Sequence, residues 1–249
     1  MAVQTIAEVI HELDLIVEDS IREKCRLGFF AWVYKRTTEQ IRDEIEKGNF
    51  RDNERLEKFD VLFANYYLDA YKNYQLGNPV SSSWQVAFEA EHNKLTIIQH
   101  VLLGMNAHIN LDLAIAAGRI MEGKPIEELQ PDFDKVNEIL ASLLDEMQSK
   151  ISGVSLFMFL LDLIGKRTDE KIINFSMVKA RSQSWNIANE LWELKGAERE
   201  KRIAEVDQSI HNLGMFVRNP KSKFLGFILK LMSWFEEKDP DRIIQKLSQ

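Results

Sequence analysis

The chain has 249 residues, with 32 Lys and Arg against 39 Asp and Glu for a net charge of −7, and 45% of it is hydrophobic against 29% charged. Such a composition suits a soluble globular chain with a sizeable apolar core, and the acidic balance without a basic run excludes a nucleic-acid footprint. Eleven glycines and five prolines are few for this length, so long helices are expected and many short strands are not. Thr5-Ile-Ala-Glu8 reads as a capping box opening a first helix, with Ile6, Val9, Ile10, Leu13 and Val17 on one face. A second stretch carries Ile21, Cys25, Phe29, Trp32 and Val33, after which Thr37 or Thr38 caps a polar helix ending at Gly48. Beyond a connector at 48–52, Leu56, Phe59, Phe63, Tyr66, Tyr67 and Tyr71 form a helical stripe from Asn53 to Leu76, stopped by Gly77-Asn-Pro79. Ser81–Ser83 cap the next start.

From Trp84 to Gly118 there is no proline and only Gly104 inside, and apolar residues cover most of the helix circumference. This is the pattern of a central helix, straight or bent. Further helices are expected near 132–151, 154–165, 176–195, 198–218, 222–237 and 240–247, and no alternating stretch competes as strand. The expected architecture is all-α: one domain over 1–249, a multi-helix bundle around a long central helix at about 84–118.

The one cysteine, Cys25, excludes an intramolecular disulfide and reads as a small buried hydrophobe on a helix. The N-terminus lacks a signal peptide's basic head, so a cytoplasmic protein is the default. The apolar runs Val154–Ile164 and Phe224–Phe235 are too short to span a bilayer. The second run reads as a terminal helix docked through Phe224, Phe227, Leu231 and Trp234. Peripheral membrane contact is the less favoured alternative, and a homodimer through that ridge is left open.

Polar groups embedded in the central helix mark the candidate site. His108 and Asp112 stand one turn apart, about 40° round the helix, so both can face one small volume. His100 lies two turns back, Gly104 opens space for a ligand or a crossing helix, and Asn106 and Asn110 form a second, rotated pair. Asp60, Asn65 and Asp69 offer facing groups, as surface caps or as site walls. Arg181 shares an aromatic face with Trp185, where a guanidinium stacks, pairs with a carboxylate or holds an anion. Glu89-Ala-Glu-His92 matches half of a di-iron motif and reads as a solvated turn.

At these residues the chain resembles an uncharacterised bacterial family, a domain of unknown function sharing a QHLLLGxNAHINLDL-like phrase and an NFSxxxARxxAW-like phrase. The matching text is QHVLLGMNAHINLDLAIAA at 99–117 and NFSMVKARSQSW at 174–185, with FDVLFANYYLDAY at 59–71 and SWQVAFEA at 83–90 similar too. The resemblance runs from about Phe29 to Leu191, and Ser184 stands where the family phrase has Ala. It implies a site at His100, Asn106, His108, Asn110, Asp112, Asn174, Arg181 and Trp185, without supplying a reaction.

Two readings follow. In one, a metal-dependent hydrolase of an ester or phosphoester holds zinc, manganese or iron through His108, Asp112 and Asp69. His100 and Arg181 are then catalytic, and Asn106, Asn110, Asn174 and Trp185 bind substrate. In the other, the cluster is a buried hydrogen-bond network, or the wall of a pocket for an amphiphilic small molecule.

Overall fold

The computed structural model describes residues 2–140 and 177–248, and among these there are helices and no strand. Helix α1 (Ile6–Glu23) opens on the Thr5 hydroxyl, which accepts from the Glu8 N–H. The Glu8 carboxylate turns to the Gln4 N–H at 2.6 Å, so half of the capping box forms. Lys24, at φ 54°, ends the helix, and Cys25 lies in the link beyond it rather than on a helix. It is half-buried, its thiol donates to Glu91, and burial with that carboxylate pushes its pKa up to about 12.

Helix α2 (Gly28–Glu46) runs straight through the expected break at Thr37 and Thr38. Both hydroxyls donate back to carbonyls one turn earlier, on Val33 and Tyr34, at 3.1 and 3.0 Å. A threonine satisfied in this way caps nothing. Asp52 caps α3 (Asn53–Gln75) and Ser81 caps α4 (Ser82–Glu89).

The segment 84–118 is not one helix. After a short turn at Ala90–His92 the chain extends at Asn93, and Thr96 and Gln99 form a complete capping box that restarts it as α5 (Ile97–Ala107). Two reciprocal bonds satisfy the new N-terminus locally, and this removes the cost of breaking the helix. A π turn at His108–Asp112 then leads into α6 (Leu113–Ile120). The run Ile97–Ile120 is long and apolar enough to cross a membrane by length and composition, yet most of it is buried inside the protein. Helices α2, α3 and α4 surround it, joined by α8 (Met177–Glu193) and α9 (Gly196–Arg218).

Residues 130–140 are helical (α7), and α10 (Lys223–Phe235) and α11 (Pro240–Ser248) close the chain. The helix expected near 154–165, the end of that expected at 132–151, and Asn174 lie outside the described residues.

Buried carboxylates remote in sequence cap other elements. Asp207 of α9 accepts from the Ser82 and Ser83 N–H groups, Asp132 from Arg51 and Asp52, and Glu236 from Ile97. Each puts negative charge where a helix or turn presents unpaired N–H groups. On α10 the docked face carries Ile228 and Met232, one turn apart, while Phe227 and Trp234 of the expected ridge are exposed. Lys223 and Lys230 share that outer face, so docking through it would have buried two ammonium groups.

The space at Gly104 is filled by α2. A Cβ there would stand 2.4 Å from the Phe30 ring, so the helices cross where a side chain is missing. An alanine ordinarily favours a helix by about 1 kcal/mol over glycine. Gly104→Ala is instead expected to destabilise the protein by about 1–3 kcal/mol through overpacking, measured by urea unfolding against wild type.

Candidate functional site

The π turn is the local origin of the site. Leu113 N–H bonds the His108 carbonyl five residues back, and the widened turn brings His108 and Asp112 nearly into line. His108 Nδ1 and Asp112 Oδ2 are 2.9 Å apart, and the Trp84 indole N–H donates to the same oxygen at 2.9 Å. Both partners are almost wholly buried.

Around them stands an aromatic cage. Phe63 stacks on the His108 ring at 3.7 Å and 9°, Tyr34 meets it edge-on at 4.4 Å, and Phe30, Tyr67 and Trp84 complete the wall within 6.0 Å. Helix periodicity explains the wall: Phe30 and Tyr34 are one turn apart on α2, and Asp60, Phe63 and Tyr67 run along one stripe of α3.

Burial drives both members of the pair toward neutrality. It holds His108 well below its ordinary pKa and raises Asp112 well above the carboxylate range, with the Trp84 N–H offsetting part of the second effect. The electroneutral pair carries two protons, one between the carboxyl and Nδ1 and one on Nε2. His108 Nε2 is buried without a partner.

Beside it is a cavity of about 70 Å³ whose lining includes Tyr34, Asp60, Phe63, Met105, His108 and Arg181. An apolar cavity of about 150 Å³ takes benzene, so this one takes a few non-hydrogen atoms. The Tyr34 hydroxyl and Asp60 Oδ2 are also buried without hydrogen-bond partners. Burial pushes the Asp60 pKa from 3.8 up to about 7, helped by Glu57 and opposed by Arg181. Burial, with Asp60 and Asp112 nearby, raises Tyr34 well above 10.0, and Thr38 offsets a little of this. Arg181 is buried over the Phe133 ring at 4.3 Å and donates to the Phe133 carbonyl at 2.7 Å and to Asn137. Burial brings its pKa down to about 10, so it keeps its charge at neutral pH.

The structure brings His108, Asp112 and Arg181 to this region and places Asp69, His100, Asn106, Asn110 and Trp185 elsewhere. Asp69 is exposed, about 180° round α3 from Asp60, so it cannot join His108 and Asp112. His100 is buried against Phe29, not on the cavity, both ring nitrogens unpartnered, and burial beside Arg26 lowers its pKa to about 3. Asn106 is spent on packing rather than on a ligand: it donates to the Ile210 carbonyl of α9 at 2.9 Å and accepts from Asn110 at 3.1 Å. Trp185 packs on Phe133 at 4.9 Å, behind the Arg181 shelf. Asn65 holds the N-terminal strand of chain by bonding both backbone groups of Val3.

Among the described residues no group of three His, Cys, Asp or Glu side chains converges, and the Asp112 oxygen facing His108 is already engaged by both His108 Nδ1 and the Trp84 indole N–H. Tyr34 and Asp60 line the cavity, and the signal for each is its spacing: Tyr34 stands one turn from Phe30, and Asp60 shares the stripe of Phe63 and Tyr67 while Asp69 does not.

Fold and site define an all-helical protein with a small cavity walled by aromatic and aliphatic side chains, with His108, Asp60 and Arg181 among its lining. The chain belongs to DUF5995, a family of unknown function, whose model matches residues 6–220. No curated protein and no solved structure matches it.

Asp60 makes stability depend on pH with a definite sign. Between pH 3.8 and about 7 the folded protein holds this proton while the unfolded chain has released it. Stability contributed by this group therefore falls as pH rises through that window and levels off above it. Asp60→Asn is expected to be more stable than wild type at pH 8 by about 1–3 kcal/mol, the two converging toward pH 4, in urea unfolding at both pH values.

Proposed function

We propose that the cavity binds the carboxylate end of a small, largely apolar molecule. The observation that carries this is that three residues lining one cavity, His108, Tyr34 and Asp60, each hold a buried polar atom without a hydrogen-bond partner: Nε2, the hydroxyl and Oδ2. Leaving such groups unsatisfied costs about 1–3 kcal/mol each, which a ligand would recover. Nε2–H, the Tyr34 O–H and, below about pH 7, the protonated Asp60 are all donors, and Arg181 supplies positive charge. Acceptor oxygens with negative charge match that set. The cavity's size admits the polar end of the ligand, and the half-buried Val33, Thr37, Met105 and Leu140 suit an apolar remainder.

One feature favours a second reading, acid–base chemistry on the bound molecule. Asp112 orients His108 through Nδ1 and leaves Nε2–H without a partner, placed to donate a proton as a general acid. An ester hydrolase would use that arrangement without the metal set of His108, Asp112 and Asp69.

Straight-chain carboxylates from butyrate to octanoate, with their methyl esters, provide the test by amide-shift titration. The acids are expected to bind more tightly than the esters, with affinity falling as pH rises from 6 to 8 and Asp60 ionises against the ligand. Tyr34→Phe and His108→Phe, which keep the rings, should each weaken binding about tenfold, as loss of a charge-assisted hydrogen bond does. Equal binding by both variants, or no shift with any acid, would refute the reading. Release of alcohol from the esters, lost in His108→Phe, would select the second.

A further inference from the structure

The outer face of α10 is built unlike the rest of the surface. Lys223, Phe227, Lys230 and Trp234 follow one another at helical spacing along it, all exposed, with Phe227 63% and Trp234 65% accessible. Phe235, at the helix end, is 70% exposed. Beneath them Ile228 and Met232 dock the helix, and Glu236 ties its end to the start of α5, so the aromatic rings stand outward on a fixed platform.

Alongside lies a cleft of about 490 Å³ that Lys230 and Trp234 share with Arg26, Lys94 and Lys238. Among the described residues Lys94, Lys230 and Lys238 of this cleft form no ion pair. The acids at the cleft are engaged: Glu236 accepts from Ile97, and Glu237 accepts from the N–H groups of Lys238 and Asp239 and faces Arg242. Lys221 on the Phe216 ring at 4.9 Å and Lys230 near Trp234 at 5.9 Å repeat the pairing of ammonium and aromatic ring.

We propose that α10 and this cleft dock the protein on an anionic lipid surface. Phe227, Trp234 and Phe235 lie at the boundary of headgroups and acyl chains, and Lys223, Lys230, Lys238, Lys94 and Arg26 meet headgroup phosphates. Alternating lysine and large aromatic residues on one exposed helix face suits an interface that is apolar on one side and negatively charged on the other. A chain carrying −7 overall is repelled by such a membrane except through a local basic face, so attachment is oriented. The face lies beyond residue 220, where the family match ends, and is independent of the carboxylate cavity.

Co-sedimentation of the full chain with phosphatidylcholine vesicles, with and without 30% phosphatidylglycerol, tests this. Binding is expected only with the anionic lipid, at least tenfold weaker in 0.5 M salt. Phe227→Ser with Trp234→Ser, and separately Lys230→Glu with Lys238→Glu, should each lower the partition at least tenfold. These side chains are exposed, so unchanged circular-dichroism melting confirms that the variants fold. Equal partition into neutral vesicles, full binding by either double variant, or no vesicle binding together with a dimer abolished by the aromatic pair of substitutions would overturn the proposal.

Discussion

An imidazole and a carboxyl enclosed among five aromatic rings are driven by burial to the neutral form. That constraint at His108 and Asp112 governs the centre of the molecule. Trp84 contributes its indole N–H because a buried carboxyl needs a second donor. Tyr34 and Phe63 close over the ring because α2 approaches α5 at Gly104 and α3 packs along the π turn. The same burial raises Asp60, keeps Tyr34 protonated and leaves polar atoms without partners. A packed core would ordinarily satisfy or eliminate such groups. Three residues that line one cavity retain such groups here, at a cost in stability.

The surroundings of the cavity rest on long-range polar ties more than on local sequence. Asp132, Asp207 and Glu236 each bond backbone N–H groups from distant elements, and Gln99 donates to the Val217 carbonyl. These ties fix where α4, α5 and α9 begin or end relative to one another, and so hold Trp84 against Asp112. Glu236, which accepts from the first N–H of α5, follows directly on the helix bearing the exposed aromatic face.

Local chemistry made much of this visible in the residues themselves. Low glycine and proline content and apolar residues at helical spacing announced an all-helical chain, and the left-handed Gly48 and Gly77 end α2 and α3 where expected. His108 and Asp112 were legible as a pair because four residues on a helix bring side chains together. The error at Thr37 and Thr38 has a physical source. A hydroxyl that caps a helix and one that bonds back within it look identical until the residues that bury it are known. The break at 93–96 was hidden in the same way, because Thr96 and Gln99 form a capping box only once the preceding turn has closed.

What the sequence by itself determined is therefore whatever one helix can enforce: its period, its ends and the groups sharing its stripe. Which stripe met which was decided by tertiary packing. Asp60 faces the cavity and Asp69 faces water because α3 turns its aromatic side to His108. Phe227 and Trp234 stay outside because Ile228 and Met232 dock without burying lysine. In each instance two faces of one helix were comparable candidates, and the cost of desolvating charge chose between them.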